Sequence, residues 1–132
     1  MNKDAYLLDT HALVFWANKE SVSPKFVKFF DKQAQIGRLF ISSISFWEIA
    51  LLVKKGRLGL NDIHAWKNEV LNYTNLQLIE PSVNEMIDAT LLPDFHKDPF
   101  DRLLIAQANQ RGFLIVTKDG EIAKYPVKTF WL

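Results

Sequence analysis

Three acidic side chains, Asp9, Glu48 and Asp119, stand where short apolar runs give way to helical sequence, and a fourth, Asp101, lies in the first turn of a further helical stretch. Asp9 closes the run AYLLD. Glu48 comes just after LFISS, Asp101 just after Asp98-Pro99, and Asp119 just after LIVT. Carboxylates gathered in one place repel each other, and such a cluster persists when a divalent cation neutralises it or when some members hold a proton. Magnesium and manganese favour oxygen ligands and keep waters for chemistry. A cation of this kind makes water acidic enough to attack a phosphodiester near neutral pH and stabilises charge on phosphoryl oxygens. The chain has no glycine-rich phosphate loop of the Walker or dinucleotide kind, so the acids point to phosphodiester hydrolysis rather than nucleotide binding. It has no cysteine, which excludes disulfides and thiolate zinc sites.

The elements that would position these acids can be read from periodicity and punctuation. Apolar runs at 5–9, 39–42, 76–79 and 114–117 read as strands, with VKTF near residue 130 as a weaker fifth. Between them lie helical patterns. THALVFWA follows Asp9. Ser23-Pro24 opens a helix through about Ile36, Ser45-x-x-Glu48 reads as a capping box for a helix stopped by Gly56, and a helix falls within 62–73. Ser82-x-x-Glu85 opens a helix to about Leu92, and Asp98-Pro99 opens one that Gly112 closes. Strands alternating with helices predict a mainly parallel sheet of four to five strands with helices on both faces. Such sheets bind ligands beyond the carboxyl ends of their strands. Asp9, the Ser42-Ser43 step before Glu48, and the Thr117–Asp119 segment all fall at that rim.

Each acid also has a structural reading. Glu48 could serve only its capping box, Asp98 could be an N-cap, Asp101 could complement the helix dipole, and Asp119 before Gly120 could be a turn residue. Asp9 ends a buried strand with no evident turn or capping duty. The 132 residues suit one domain, and 48% hydrophobic against 23% charged residues is the balance of a globular core. The net charge of +1 gives no basic field of the sort that marks many nucleic-acid binders. No stretch reaches the roughly 20 apolar residues of a membrane span, and Asp4, Asp9 and His11 interrupt the apolar start. The absence of cysteine suits a cytoplasmic location. From Phe46 to Val53 the helix has almost no polar face, so it is either central to the fold or part of an interface.

The blocks LLDTHALVFWA, ISSISFWEIALLVKKGRL, HKDPFDRLLIAQA and LIVTKD together resemble the PIN-domain family, and within it the VapC-like ribonuclease toxins of type II toxin–antitoxin systems. The resemblance covers nearly the whole chain. It implies a single PIN-like domain and a metal-dependent endoribonuclease whose catalytic acids are Asp9, Glu48, Asp101 and Asp119. Asp9, Asp101 and Asp119 would be the ligands of Mg2+ or Mn2+. Asp98 belongs to the same block and would assist, and Thr10 and Thr117 are hydroxyl positions beside the acids. His96 is open to a phosphate contact or a capping role, and Arg102 to a phosphate contact or a pair with Asp98. The resemblance further implies an RNA substrate, a small antitoxin partner and a homodimer. Two other readings use the same architecture. One is a non-catalytic interaction module on the PIN scaffold. The other is a phospho-receiver domain, which wants an acidic pair after its first strand, whereas this chain has Asp9 alone there.

Overall fold

The computed structural model describes residues 3–132. Its elements run β1 (Tyr6–Leu8), α1 (Thr10–Asn18), α2 (Pro24–Gln35), β2 (Leu39–Ser42), α3 (Ser43–Lys54) and α4 (Ile63–Tyr73). They continue with β3 (Gln77–Ile79), α5 (Val83–Leu91), α6 (Pro99–Arg111), β4 (Leu114–Val116), α7 (Gly120–Ala123) and β5 (Thr129–Phe130). All five strands pair in parallel in the order β3-β2-β1-β4-β5. A phospho-receiver sheet is ordered 2-1-3-4-5, so the topology excludes that reading.

Alternation along the strands divides the core into two layers. Tyr6 and Leu8 of β1 and Leu39 and Ile41 of β2 pack with Leu13, Phe26, Phe30 and Ile49 from the first three helices. Leu7 and Ile115 turn the other way and pack with Leu104, Ile105 and Ile122. The sheet is therefore covered on both faces, as the strand–helix alternation predicts. Among the described residues no helix is long and apolar enough to cross a membrane.

Three local expectations change. Helix α3 begins at Ser43, directly off β2, with Ser42 as its N-cap accepting the Ile44 amide. The Ser45–Glu48 capping box therefore does not form. Ser45 lies one turn inside the helix, fully buried, and accepts the Thr10 hydroxyl at 3.1 Å. The short helix α7 was not foreseen, being only four residues long. Helix α3 is not central either: Ser45 and Ile49 are its only fully enclosed side chains, and Trp47 is 63% exposed. By contrast, the Ser82–Glu85 capping box is present, and Gly56 and Gly112 take positive φ just past their helices.

Helix α6 carries the acid Asp101 and the wholly buried Leu104 one turn apart. Replacing Leu104 with Ala leaves a cavity in the second core layer and should lower unfolding free energy by roughly 2–5 kcal/mol. Chemical denaturation of Leu104→Ala beside Asp101→Asn tests this. The leucine variant should lose stability and the asparagine variant should not.

Candidate active site

The sheet order reverses at β1, whose neighbours β2 and β4 lead away in opposite directions. Beyond such a switch point a crevice opens at the strands' carboxyl ends. Asp9 follows β1 and Asp119 follows β4, so both stand at this crevice. Helix α3 leaves β2 at the same rim carrying Glu48, and α6 brings Asp98 and Asp101.

Asp9 does have a capping duty. It is the N-cap of α1, and its Oδ1 accepts the Ala12 amide at 2.7 Å. Asp98 caps α6, accepting the Phe100 amide at 2.9 Å and the Asp101 amide at 3.4 Å. Asp119 caps α7 through the Glu121 amide at 2.9 Å. Three acids of the rim thus each tie one oxygen to a helix N-terminus. Thr117 links two of them. Its oxygen accepts the Asp119 amide at 3.0 Å, and its hydroxyl bonds the Asp9 carboxylate. Thr10 lies between Ser45 and Glu48 with one hydroxyl proton to give. Glu48 Oε1 is buried with no hydrogen-bond partner.

The acids sense one another. Burial raises Asp9 above the usual carboxylate range, against the pull of Thr117 and the Ala12 amide, and Asp119 adds repulsion. Burial likewise raises Glu48, with Asp98 and Asp9 repelling its charge. Asp101 is pushed up to about 7, first by burial and then by Asp98, Glu48 and Asp9, despite its bond to His96. His96 Nε2 lies 2.8 Å from Asp101 Oδ2, and this bond raises the imidazole. Around neutral pH the pair holds a proton that two isolated side chains would give up sooner.

One ligand atom each from His96, Asp98 and Asp101 lies within 4.8 Å of the others, close enough to surround one cation. Asp101 is common to this grouping and to the expected set. Asp9 and Asp119 are coupled to it by charge rather than drawn in to that distance. Hard oxygen donors, mutual repulsion and an orphaned buried oxygen on Glu48 together fit a divalent cation.

Arg102 faces away from the crevice and is 9% exposed. Its guanidinium donates to the carbonyls of Ala89, Thr90, Leu92, Pro93 and His96 at 2.8 to 3.2 Å, and one nitrogen lies 3.6 Å from Asp94 Oδ1. It closes the carboxyl end of α5 and anchors the turn that delivers His96. Tyr125 completes the anchor: its hydroxyl donates to Pro93 O at 2.7 Å and accepts the His96 amide at 2.9 Å. Neither Tyr125 nor His11 stood out in the sequence. His11 acts on both Asp9 and Glu48, and its place two residues after Asp9, in the first turn of a helix, was the available signal.

A parallel α/β domain with an acidic, cation-suited crevice at its switch point is the class that fold and site define. Within that class the chain belongs to the PIN-domain family, whose model matches residues 6–128. Ribonuclease VapC22 of Mycobacterium tuberculosis is 31% identical over 123 residues, covering 90% of each chain. The fold is shared with VapBC2 from Rickettsia felis, solved bound to a DNA fragment from their promoter (TM-score 0.74, 18% identity, 97% of this chain and 98% of that one). It is shared too with DNA-bound VapBC from Salmonella typhimurium (TM-score 0.70, 19% identity, 97% and 98%). PIN domains generally depend on a divalent metal, and the acidic crevice offers one a place.

The raised Asp101 fixes how the metal-free protein responds to pH. The folded state binds a proton there up to about pH 7, whereas the unfolded chain releases it near 3.8. Stability therefore falls as pH rises between those values, and the full loss is present above about 7. In EDTA, Asp101→Asn should melt several degrees above wild type at pH 7.5, with the gap closing towards pH 4. Mn2+ should raise the wild-type melting temperature by mass action and the variant's much less. Thermal melts at the two pH values check both. A variant that melts below wild type throughout would make Asp101 a structural residue.

Proposed function

We propose that this protein is a metal-dependent endoribonuclease and the toxin of a toxin–antitoxin pair. The observation that carries the reading is the meeting of Asp9, Glu48, Asp101 and Asp119 at the switch point of a PIN-domain sheet. The relative named as a ribonuclease supports the activity, and the structural neighbours named as VapBC support an antitoxin partner. The chain would work as one domain in the cytoplasm, where its RNA substrate is found.

Asp9, Asp101 and Asp119 hold Mg2+ or Mn2+ in this reading, with Asp98 and His96 at its edge. When bound, the cation supplies Lewis-acid stabilisation of phosphoryl charge and makes water at the site more acidic. The remaining work falls to the chain. Glu48 Oε1 is buried and free of partners, and takes the proton of the attacking water. Thr117 holds Asp9 in orientation through its hydroxyl, and Thr10 ties α1 to Ser45 of α3, the helix that carries Glu48. Asp101 and His96 share a proton across their 2.8 Å bond, and with Asp101 ionised His96 would carry that proton and could donate it to a phosphate or leaving oxygen. Arg102 and Tyr125 keep the His96 turn in place and touch no substrate.

An antitoxin and a second copy would meet the apolar surface that the fold leaves open. Trp47 projects from α3, and Val83, Met86, Ile87 and Leu91 form an exposed stripe at helical spacing along α5.

Purified protein should cut RNA in Mg2+ or Mn2+ and not in EDTA, and Asp101→Asn should reduce the rate by at least about a hundredfold while remaining folded. Expression of the chain alone should arrest bacterial growth, with relief by Asp9→Asn, which keeps the α1 cap because asparagine caps as well as aspartate. Equal toxicity of the two would remove cleavage as the cause. Light scattering at micromolar concentration should give a dimer, and the product of an adjacent short reading frame should co-purify. A monomer, or a chain that purifies alone, would count against the respective partner.

A further inference from the structure

Beside the crevice lies a small cleft of about 200 Å³, lined by Asp9, His11, Phe15, Lys118, Asp119 and Trp131, whose aromatic walls the proposed chemistry does not use. Two of these are rim carboxylates and three are aromatic. The rings come from distant parts of the chain. His11 and Phe15 lie a turn apart on α1, with centroids 6.2 Å apart and planes at 32°. Trp131 follows β5 and is braced against Phe26 at 4.8 Å. Lys118 Nζ stands over both faces, 5.4 Å from the Phe15 ring and 5.5 Å from the Trp131 ring. Phe15 and Trp131 are half-buried, whereas His11 and Lys118 are exposed.

We propose that this cleft is a nucleobase subsite: it takes one base of the RNA strand, stacked on Phe15 and Trp131, from a nucleotide beside the phosphodiester that reacts at the acidic rim. The inference rests on the ribonuclease reading and adds to it how the strand is gripped. Four features favour this occupant. The cleft is smaller than the 300–1,000 Å³ of drug-sized pockets, which suits one ring system. Its walls are aromatic faces, on which any base can stack. Lys118 covers the two ring faces, so a base enters as this flexible, exposed side chain swings aside, and the freed ammonium can then meet the phosphate of the stacked nucleotide. The cleft is also continuous with the acids, so a base lodged in it fixes the neighbouring phosphodiester at the crevice. The chain's net charge of +1 gives weak general attraction for RNA, so local stacking has more of the grip to supply.

The test uses an unstructured oligoribonucleotide whose cut site has been mapped with the wild-type protein, and a series in which each nucleotide around that site is made abasic in turn. One abasic position should raise the wild-type KM about tenfold, the scale of one lost base–aromatic stack. Phe15→Leu and Trp131→Leu should raise KM by a similar factor on intact RNA with kcat largely kept. Neither variant should lose more when that same position is abasic. Leucine keeps apolar bulk against the core, and thermal melts identify a variant that is damaged in fold. If Trp131→Leu is so damaged, Phe15→Leu decides alone. Equal tolerance of abasic sites at every position overturns the subsite, as do variant and abasic losses that multiply independently. Variants that keep wild-type RNA kinetics but lose antitoxin affinity assign the cleft to the partner protein and overturn it as well. A wild-type protein that cuts no RNA overturns the ribonuclease reading itself, and the subsite with it.

Discussion

Like charges held close together, partly out of water, set the terms for this structure. Asp9, Glu48, Asp98, Asp101 and Asp119 share one rim, and burial and mutual repulsion raise Asp9, Glu48 and Asp101 above the usual carboxylate range. Repulsion of this kind pushes side chains outward unless they are tied down. The ties are backbone amides at helix starts. Asp9 and Asp98 cap α1 and α6, so the positive ends of two helices point at the cluster and offset part of its charge. The parallel sheet makes this possible, since it sends successive helices off from the same edge. Neither the caps nor the sheet order is incidental to the site, because without them the acids would separate.

Chemistry and scaffolding are interleaved residue by residue in α6. Asp101 faces the crevice, while Arg102, the next residue, turns inward and serves five carbonyl oxygens. A planar guanidinium with several fixed donors suits that task, and lysine would leave most of those oxygens bare. Buried carbonyls without donors are expensive, on the order of 1–3 kcal/mol each. The turn that presents His96 is therefore fixed from behind by groups that never meet a substrate. A site assembled in this way can vary its acids without loosening the loop that carries its histidine.

Much of this was legible in the sequence because the signals were local. Apolar runs ending at Asp9 and near Asp119 marked strand ends, and Asp98-Pro99 and Gly112 bounded α6 within a residue. Ser45-x-x-Glu48 failed because a capping box needs a chain that enters the helix from outside, and here β2 runs straight into α3 through Ser42. The motif was met in letters and not in backbone. The capping duty of Asp9 is hidden in the sequence because an acid that ends a strand and starts a helix in one step leaves no loop to advertise it. Arg102 was undecidable for a different reason. Its partners are main-chain oxygens, which every residue has, and only the fold selects which ones face it.

The pairing of β1 with β4 sets a clock on the protein's synthesis. Tyr6, Leu7 and Leu8 are made before every other strand of the sheet, yet one of their two neighbouring strands is Leu114–Val116, and Asp119 comes later still. A chain emerging from the ribosome with only its first three strands has one open edge beside β1, no α6 and an incomplete ring of acids. Contacts spanning so much sequence form late in folding. While β4 and the segment that carries Asp119 are still unmade, the acidic rim is incomplete. The rim is complete only once nearly the whole domain is free, so under the proposed function synthesis itself would delay cleavage.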